Sequence, residues 1–389
     1  ENRQWPDEIF LITTSFGTEK AVEGLIRQKH LQRLCGEIQR PLPAFDASHV
    51  LVTPGADGTE VEDARSLQDH EALANFIMTE VRNRTASPQG SLHASLAGGR
   101  KTMTFYIGYA MSLFGRVQDT LSHVLVSDGY ESQPDFWFPT KERCLVSNRQ
   151  NQTLDASQAR ITLALIPFIR HRLDLPQVLL QNNDIVKFAD LVELINLGET
   201  PDALRLVIDL PQKTIRLQDH HSHLSIDLNP GLLDLAFYSM MARATREGEH
   251  TLRRPDPDIK DSQNPGKKIG DIDMSIEMVK EMLVYCNKKS KEHLEGDILQ
   301  LKDADLGLSE KSLNVLSDGV TRTWFDSRQT HLRQEFERGL PNSLLRWVMP
   351  TLIWAEDGSR LSLGDAAKAP KGGGYGLNLK ASQIHLIEP

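Results

Sequence analysis

The sequence holds little cysteine, few aromatics, no long apolar run and no excess of positive charge. Its three cysteines, Cys35, Cys144 and Cys286, stand far apart with no Cys-x-x-Cys pair, which argues against a disulfide framework or a cysteine zinc cluster and suits a reducing cytoplasm. No stretch approaches the roughly 20 apolar residues that cross a bilayer. The start, Glu1-Asn2-Arg3-Gln4, lacks the basic-then-apolar layout of a secretion signal, so no membrane is expected as a partner. Lysine and arginine total 44 against 53 aspartates and glutamates, a net charge of −9 that speaks against the broad basic surface used in sequence-independent nucleic-acid binding. An anionic ligand must then be held by a local positive site. Neither G-x-x-x-x-G-K-[ST] nor G-x-G-x-x-G occurs, which disfavours two large nucleotide-binding classes.

What is present suffices for a packed protein. Apolar residues are 39% of the chain and charged ones 25%, enough to build cores and too balanced for a disordered or fibrous chain. A length of 389 residues suggests two or three domains.

Strand and helix signals alternate in the first part. Ile9 to Thr14 reads as a strand ending in Thr13-Thr14-Ser15-Phe16-Gly17, and a helical stretch runs from Glu19 to about Leu34. Val50 to Thr53 is a second strand, and Asp69 to about Asn83 places Leu73, Phe76, Ile77 and Val81 on one helical face. Leu92 to Ala97 is a third strand, Lys101 to Phe114 an apolar helix and Ser122 to Val126 a fourth strand. This order predicts an α/β fold with a parallel sheet covered on both faces. The division expected is a ligand-binding domain over 1–175, a connecting α+β segment over 176–227 and a mostly helical domain over 228–389. In the middle segment Leu204 to Asp209 and Thr214 to Leu217 read as strands, and a helix opens at Leu228-Asn229-Pro230 and runs to about Arg246. Arg253 to Gly270 reads as an exposed loop. Helical patterns resume over Ser275 to His293 and Ser309 to Gly339. The tail, Thr351 to Trp354 and then Gly372 to Leu377, has the look of a hairpin, so the last domain is expected to be winged-helix-like.

The stretch richest in chemistry is Ser95-Leu96-Ala97-Gly98-Gly99-Arg100-Lys101-Thr102-Met103, where a strand hands over to a helix. Paired glycines let backbone approach a ligand, a helix N-terminus offers free N–H groups, and Arg100 and Lys101 add full charges, a combination suited to phosphate. Ser95 and Thr102 can supply hydroxyls. In an open parallel sheet ligands bind beyond the carboxyl ends of the strands, where Thr13, Thr14, Ser15 and Gly17 would emerge as well. A Gly-Gly turn that serves only as a turn, with Arg100 and Lys101 solvated, is the competing reading.

The string from Leu92 to Met103, followed by Tyr109 to Arg116 and Leu121 to Val126, resembles the ring-nuclease-type CARF (CRISPR-associated Rossmann-fold) family of type III CRISPR systems. Further agreement comes from Pro6-Asp7-Glu8-Ile9 with Thr13-Thr14, from Pro134 to Pro139 and from Ile166 to Arg170, so the resemblance spans roughly residues 5 to 175. It implies a Rossmann-like domain, a homodimer with one symmetric pocket for a cyclic oligoadenylate, and metal-independent cleavage of that ring to a 2′,3′-cyclic phosphate. It also implies catalytic roles for Lys101, Arg100 and Ser95, and ligand contacts from Thr13, Thr14, Ser15, Gly98, Gly99, Thr102 and Met103. No metal or other cofactor is expected. By the same resemblance a further strand and Thr/Ser/Gly loop are expected ahead of Pro6. The alternative function is a non-enzymatic regulator that binds DNA or a protein through the C-terminal domain.

Other candidates have plain readings beside them. His220-His221-Ser222-His223 could ligate a metal but falls in a turn without a cysteine partner. Arg243 and His250 have the spacing of a HEPN ribonuclease pair, against a solvated helix end. Arg322, Arg328, His331, Arg333 and Arg338 form a basic helical run that could meet nucleic acid or be a solvated face. Phe136 and Trp137 with Phe138 could stack adenine, against alternation that makes Phe136 and Phe138 core on one side of a strand.

Overall fold

A computed structural model describes residues 5–60, 66–98, 100–131, 133, 135–147, 153–176, 180, 187–219, 225–249, 252–256, 259–260, 268–287, 289, 291–294, 297–303, 307–361 and 373–389. The chain forms two compact units, Glu1–Leu173 with Leu180–Ala189, and Asp174–Leu179 with Asp190–Pro389. Both mix helices with small sheets. No helix among the described residues is long and apolar enough to cross a membrane.

In the first unit β1 (Leu11–Thr13) leads into α1 (Ser15–Ala21), a π-helical turn over Val22–Arg27 and α2 (His30–Ile38). The chain then returns as β2 (Val50–Val52), parallel to β1 with Leu11 opposite Val50. One continuous helix from Glu19 to Leu34 is therefore not what forms. The ring of Trp137 lies against Gly24, where any side chain would collide with it, and Lys29 adopts a left-handed φ of 59° that separates the π turn from α2.

Next come α3 (Leu67–Thr85), β3 (His93–Ser95), α4 (Lys101–Phe114) and β4 (Thr120–Val126). Ser66 caps α3 by accepting from the Asp69 N–H at 3.0 Å, and Asp69 accepts from the Ser66 N–H at 3.1 Å, a reciprocal pair that fixes where the helix starts. Leu73, Ala74, Ile77, Met78 and Val81 of α3 are buried, as are Met103, Ala110, Met111, Leu113 and Phe114 of α4, which packs on it. Each large side chain so buried contributes about 1.5–3 kcal/mol, so this helix pair anchors the unit.

β3 and β4 run parallel in register, Ser95 beside Ser122. Two further short strands, β5 (Leu145–Ser147) and β6 (Thr153–Asp155), pair antiparallel with each other, and β7 (Ile161–Leu165) runs antiparallel to β4. The expected single parallel sheet is thus corrected: among the described residues there is a parallel pair β1–β2 and a mixed sheet β3-β4-β7. The physical reason is that no crossover helix lies between β4 and β7 among the described residues, and a strand returning without one adds antiparallel.

A buried pair fixes the α4–β4 corner. Asp119, fully buried, accepts from the Arg116 N–H at 2.7 Å, from Arg116 Nε at 2.9 Å and Nη2 at 2.8 Å, and from the Leu92 N–H at 2.7 Å. Burial raises the Asp119 pKa, but these bonds to Arg116 and Leu92 outweigh it and leave the carboxyl below its usual range. Arg170 Nε donates to the Arg116 carbonyl and its Nη2 to that of Asp119, both at 2.9 Å. Arg172 donates to Phe114 O at 2.7 Å, where the exposed carbonyls of a helix end favour a cation.

Most of α5 (Phe188–Leu197) belongs to the second unit. A four-stranded sheet follows, built from β8 (Arg205–Asp209), β9 (Thr214–Gln218) and β10 (Ser225–Leu228) in antiparallel meander. Around it lie α6 (Leu232–Glu247), α7 (Ile272–Asn287), α8 (Ile298–Asp303), α9 (Glu310–Asp318), α10 (Arg322–Gly339) and α11 (Asn342–Val348). Short pairs β11 (Ile259–Lys260) with β12 (Lys268–Ile269), and β13 (Thr351–Leu352) with β14 (Tyr375–Gly376), are antiparallel. The last strand, β15 (Ile384–Ile387), completes the sheet parallel to β8. The helix expected over Ser309 to Gly339 is two helices, because the chain at Val320 is drawn into a bridge with Asp271, with N–H to O distances of 2.8 and 2.9 Å.

α6 is the centre of this unit, with Leu235, Phe237, Tyr238 and Met241 inaccessible to solvent. Arg243 on it bonds Glu281 at 2.7 Å and Glu388 at 2.6 Å, and Lys291 reaches Glu281 at 3.2 Å. A buried charge persists in such a setting only when paired in this way.

Candidate functional site

Two strand-to-helix corners carry the residues that the sequence marks. At the first, Thr13 ends β1, its carbonyl accepting from the Thr53 N–H at 2.9 Å. Thr14 precedes α1 in extended conformation, and its carbonyl accepts from the Thr18 N–H at 2.9 Å and from Thr18 Oγ1 at 3.1 Å. Ser15 opens the helix. No side chain caps the N-terminus of α1 and its first turn holds no acidic residue.

At the second corner Ser95 ends β3, exposed, with its Oγ accepting from the Ala97 N–H at 3.3 Å. Gly98 takes φ +80°, which favours glycine, and open space surrounds it. Gly99 lies outside the described residues. Arg100 is exposed and extended just before α4, whose first residue is exposed Lys101. Here too the helix N-terminus has no side-chain cap and no acid in its first turn. Thr102 is half-buried. Met103 is 4% exposed and packs inward.

Sequence reasoning missed the neighbours of this corner. His93 Nε2 lies 2.7 Å from Ser122 Oγ, and Ser122 stands beside Ser95 across the strand pair. The signal was available, since residues two apart on a strand share a face. Trp137 stacks on His30 with ring centroids 4.4 Å apart and planes within 10°, and is 38% exposed. Phe138 is buried and Phe136 half-buried against Tyr130, but the segment is not a strand, so the expected alternation fails there.

The remaining candidates separate from these corners. Arg243 is not at a solvated helix end but buried on Glu281 and Glu388; His250 and the histidines at 220, 221 and 223 lie outside the described residues. Among the described residues no cluster of three metal-ligating side chains occurs. The basic run of α10 is largely spent on ion pairs: Arg328 with Asp234 at 3.0 Å, Arg338 with Glu335 at 2.7 Å and Arg333 with Glu337 at 3.5 Å. Arg322 Nε donates to the Pro255 carbonyl at 2.8 Å.

Parallel strands that hand over to uncapped helices, with Arg100 and Lys101 beside one of them, place the first unit among mixed α/β folds. Within that class the family can be stated. The family description CRISPR-associated protein NE0113 matches residues 1–196. The chain therefore belongs to this CRISPR-associated family. Comparison with curated proteins gives no match.

Proposed function

We propose that the first unit is a Rossmann-like CARF domain that binds a cyclic oligoadenylate at the β1–α1 and β3–α4 corners and cleaves the ring without a metal. The observation that carries this reading is the pair of helix N-termini after parallel strands, each without a side-chain cap or an acidic first turn, one flanked by exposed Arg100 and Lys101. Free N–H groups after a parallel strand suit an anion, the more so beside Arg100 and Lys101.

In the reaction a ribose 2′-OH attacks the adjacent phosphorus and the 5′-oxygen leaves with a proton. The ring opens to a linear chain ending in a 2′,3′-cyclic phosphate, with no water consumed. Such a step needs alignment and charge stabilisation above all. Lys101 and Arg100 would stabilise the charge on the equatorial oxygens, Ser95 and Thr102 would orient phosphate oxygens, and Thr13, Thr14 and Ser15 would line the edge, with Gly98 and Gly99 allowing close approach and Met103 supporting the helix from below. A homodimer would complete a symmetric site for the ring. The rival reading is a non-enzymatic regulator that binds DNA or a protein partner through the C-terminal unit; for DNA it gains little from α10, whose arginines make contacts within that unit.

Replacing Lys101 by Ala tests the assignment. With cyclic tetra-adenylate as substrate, turnover followed by chromatography should fall on the order of 100-fold or more, the usual effect of removing one stabilising donor. Unchanged turnover would remove Lys101 from the site.

A further inference from the structure

We propose that His93, held by Ser122, is the proton donor to the leaving 5′-oxygen; this rests on the function proposed above and supplies a proton that its reaction requires. Ring opening puts a proton on the 5′-oxygen, and the residues assigned so far are poor sources of it. Arginine cannot give one up, lysine does so reluctantly at neutral pH, and serine and threonine hydroxyls are weaker acids still. Histidine changes charge near neutral pH, which makes it the most frequent general acid.

The register of the sheet places His93 at the Ser95 corner. β3 and β4 run parallel, with His93 beside Thr120 and Ser95 beside Ser122. Residues two apart on a strand share a face, so His93, Ser95 and Ser122 stand on one side of the sheet. An imidazole standing straight out from His93 would lie next to Thr120. Its Nε2 is instead 2.7 Å from Ser122 Oγ, so the ring leans along the strand toward the carboxyl end, to the level of Ser95. The Leu96 N–H donates to the Ser122 carbonyl at 2.8 Å and keeps β3 beside β4 through that level. His93 and Ser95 are about 7 Å apart along the strand, and the lean of the ring shortens that gap.

Burial separates the roles. His93 and Ser95 are exposed, whereas Ser122 is inaccessible to solvent. A buried hydroxyl requires a partner, and the imidazole supplies it. Ser122 can accept from the imidazolium or donate to the neutral ring, so it positions His93 in either protonation state. In the step, the 2′-oxygen bonds to phosphorus as the P–O5′ bond breaks with its electron pair going to the 5′-oxygen. The imidazolium proton passes to that oxygen, the 2′-hydroxyl proton passes to water, and water reprotonates the imidazole.

The test is cleavage by the full chain in EDTA, wild type against His93→Gln, of cyclic tetra-adenylate and of the same ring with sulfur in place of its bridging 5′-oxygens. Glutamine keeps a hydrogen-bonding side chain near Ser122 but cannot serve as the acid, and a thiolate leaves without a proton. Each variant is measured on both substrates, so the comparison does not depend on how well His93→Gln folds. His93→Gln should cut the natural ring on the order of 100-fold or more slowly, the usual scale of general acid catalysis, and the sulfur ring within about 3-fold of wild type. Equal turnover of the natural ring by the two proteins, or an equal loss on both substrates, would overturn His93 as the donor and leave the proposed function standing. Failure of wild type to cut the natural ring would overturn both.

Discussion

Asp119 shows how one residue can hold a site it does not enter. Its carboxylate ties the Arg116 guanidinium to the Leu92 N–H, and so joins the end of α4 to the start of β3, three residues before Ser95. Asp119→Ala leaves the Arg116 charge buried without its partner, a loss of about 3–5 kcal/mol. Urea unfolding of the variant should show that fall in stability, and a change under about 1 kcal/mol would mean that the pair is not a structural anchor. The signal for this pair was present in the sequence as Arg116-Val117-Gln118-Asp119, but only the fold shows that the turn is buried. The same holds at Arg243: sequence sees an arginine near a helix end, whereas burial of α6 turns it into the centre of an ion-pair network.

At the scale of elements, the short parallel pair β1–β2 depends on a staple outside it. His49, just before β2, places Nδ1 2.9 Å from Asp46 and Nε2 3.1 Å from Glu8, while Glu8 forms a parallel bridge with Ala44. The bond to Asp46 chiefly raises the His49 pKa, with Glu8 adding to it, and bonds from Ser48 and then His49 bring Asp46 down to about 2. A raised histidine contributes stability that is complete below its ordinary 6.5 and fades as pH climbs through the raised value. A lowered carboxylate contributes above its ordinary 3.8 and fades as pH falls toward 2, so the staple is strongest between these limits. Melting curves of wild type and His49→Gln should therefore differ more at pH 5.5 than at pH 8.5; an equal difference would show that the charge of His49 is not what matters. Elements with strong period were readable in advance: α4 was expected over 101–114 and forms there, and β8 and β9 lie within a residue of expectation. What was not readable depends on contacts distant in sequence. The π turn before α2 lies under Trp137, the split between α9 and α10 coincides with the bridge of Val320 to Asp271, and β15 is a strand because β8 offers it an edge.

For the whole molecule, two units divide the work unevenly in what they reveal. The first unit carries the family match and both uncapped corners, and the candidate loop from Ser95 to Thr102 was legible because glycine, charge and a strand-to-helix handover coincide in a few residues. The stacking of His30 on Trp137 was less legible, because it spans more than a hundred residues of chain. The second unit is built around a helix whose residues 234–245 are all buried, and on α10 Arg328 pairs with Asp234 and Arg338 with Glu335. The account stands most directly on one measurement: incubation of the purified full chain with cyclic tetra-adenylate in EDTA, with products resolved by chromatography. It predicts a linear product ending in a 2′,3′-cyclic phosphate, whereas recovery of intact ring after many hours at excess protein would contradict it.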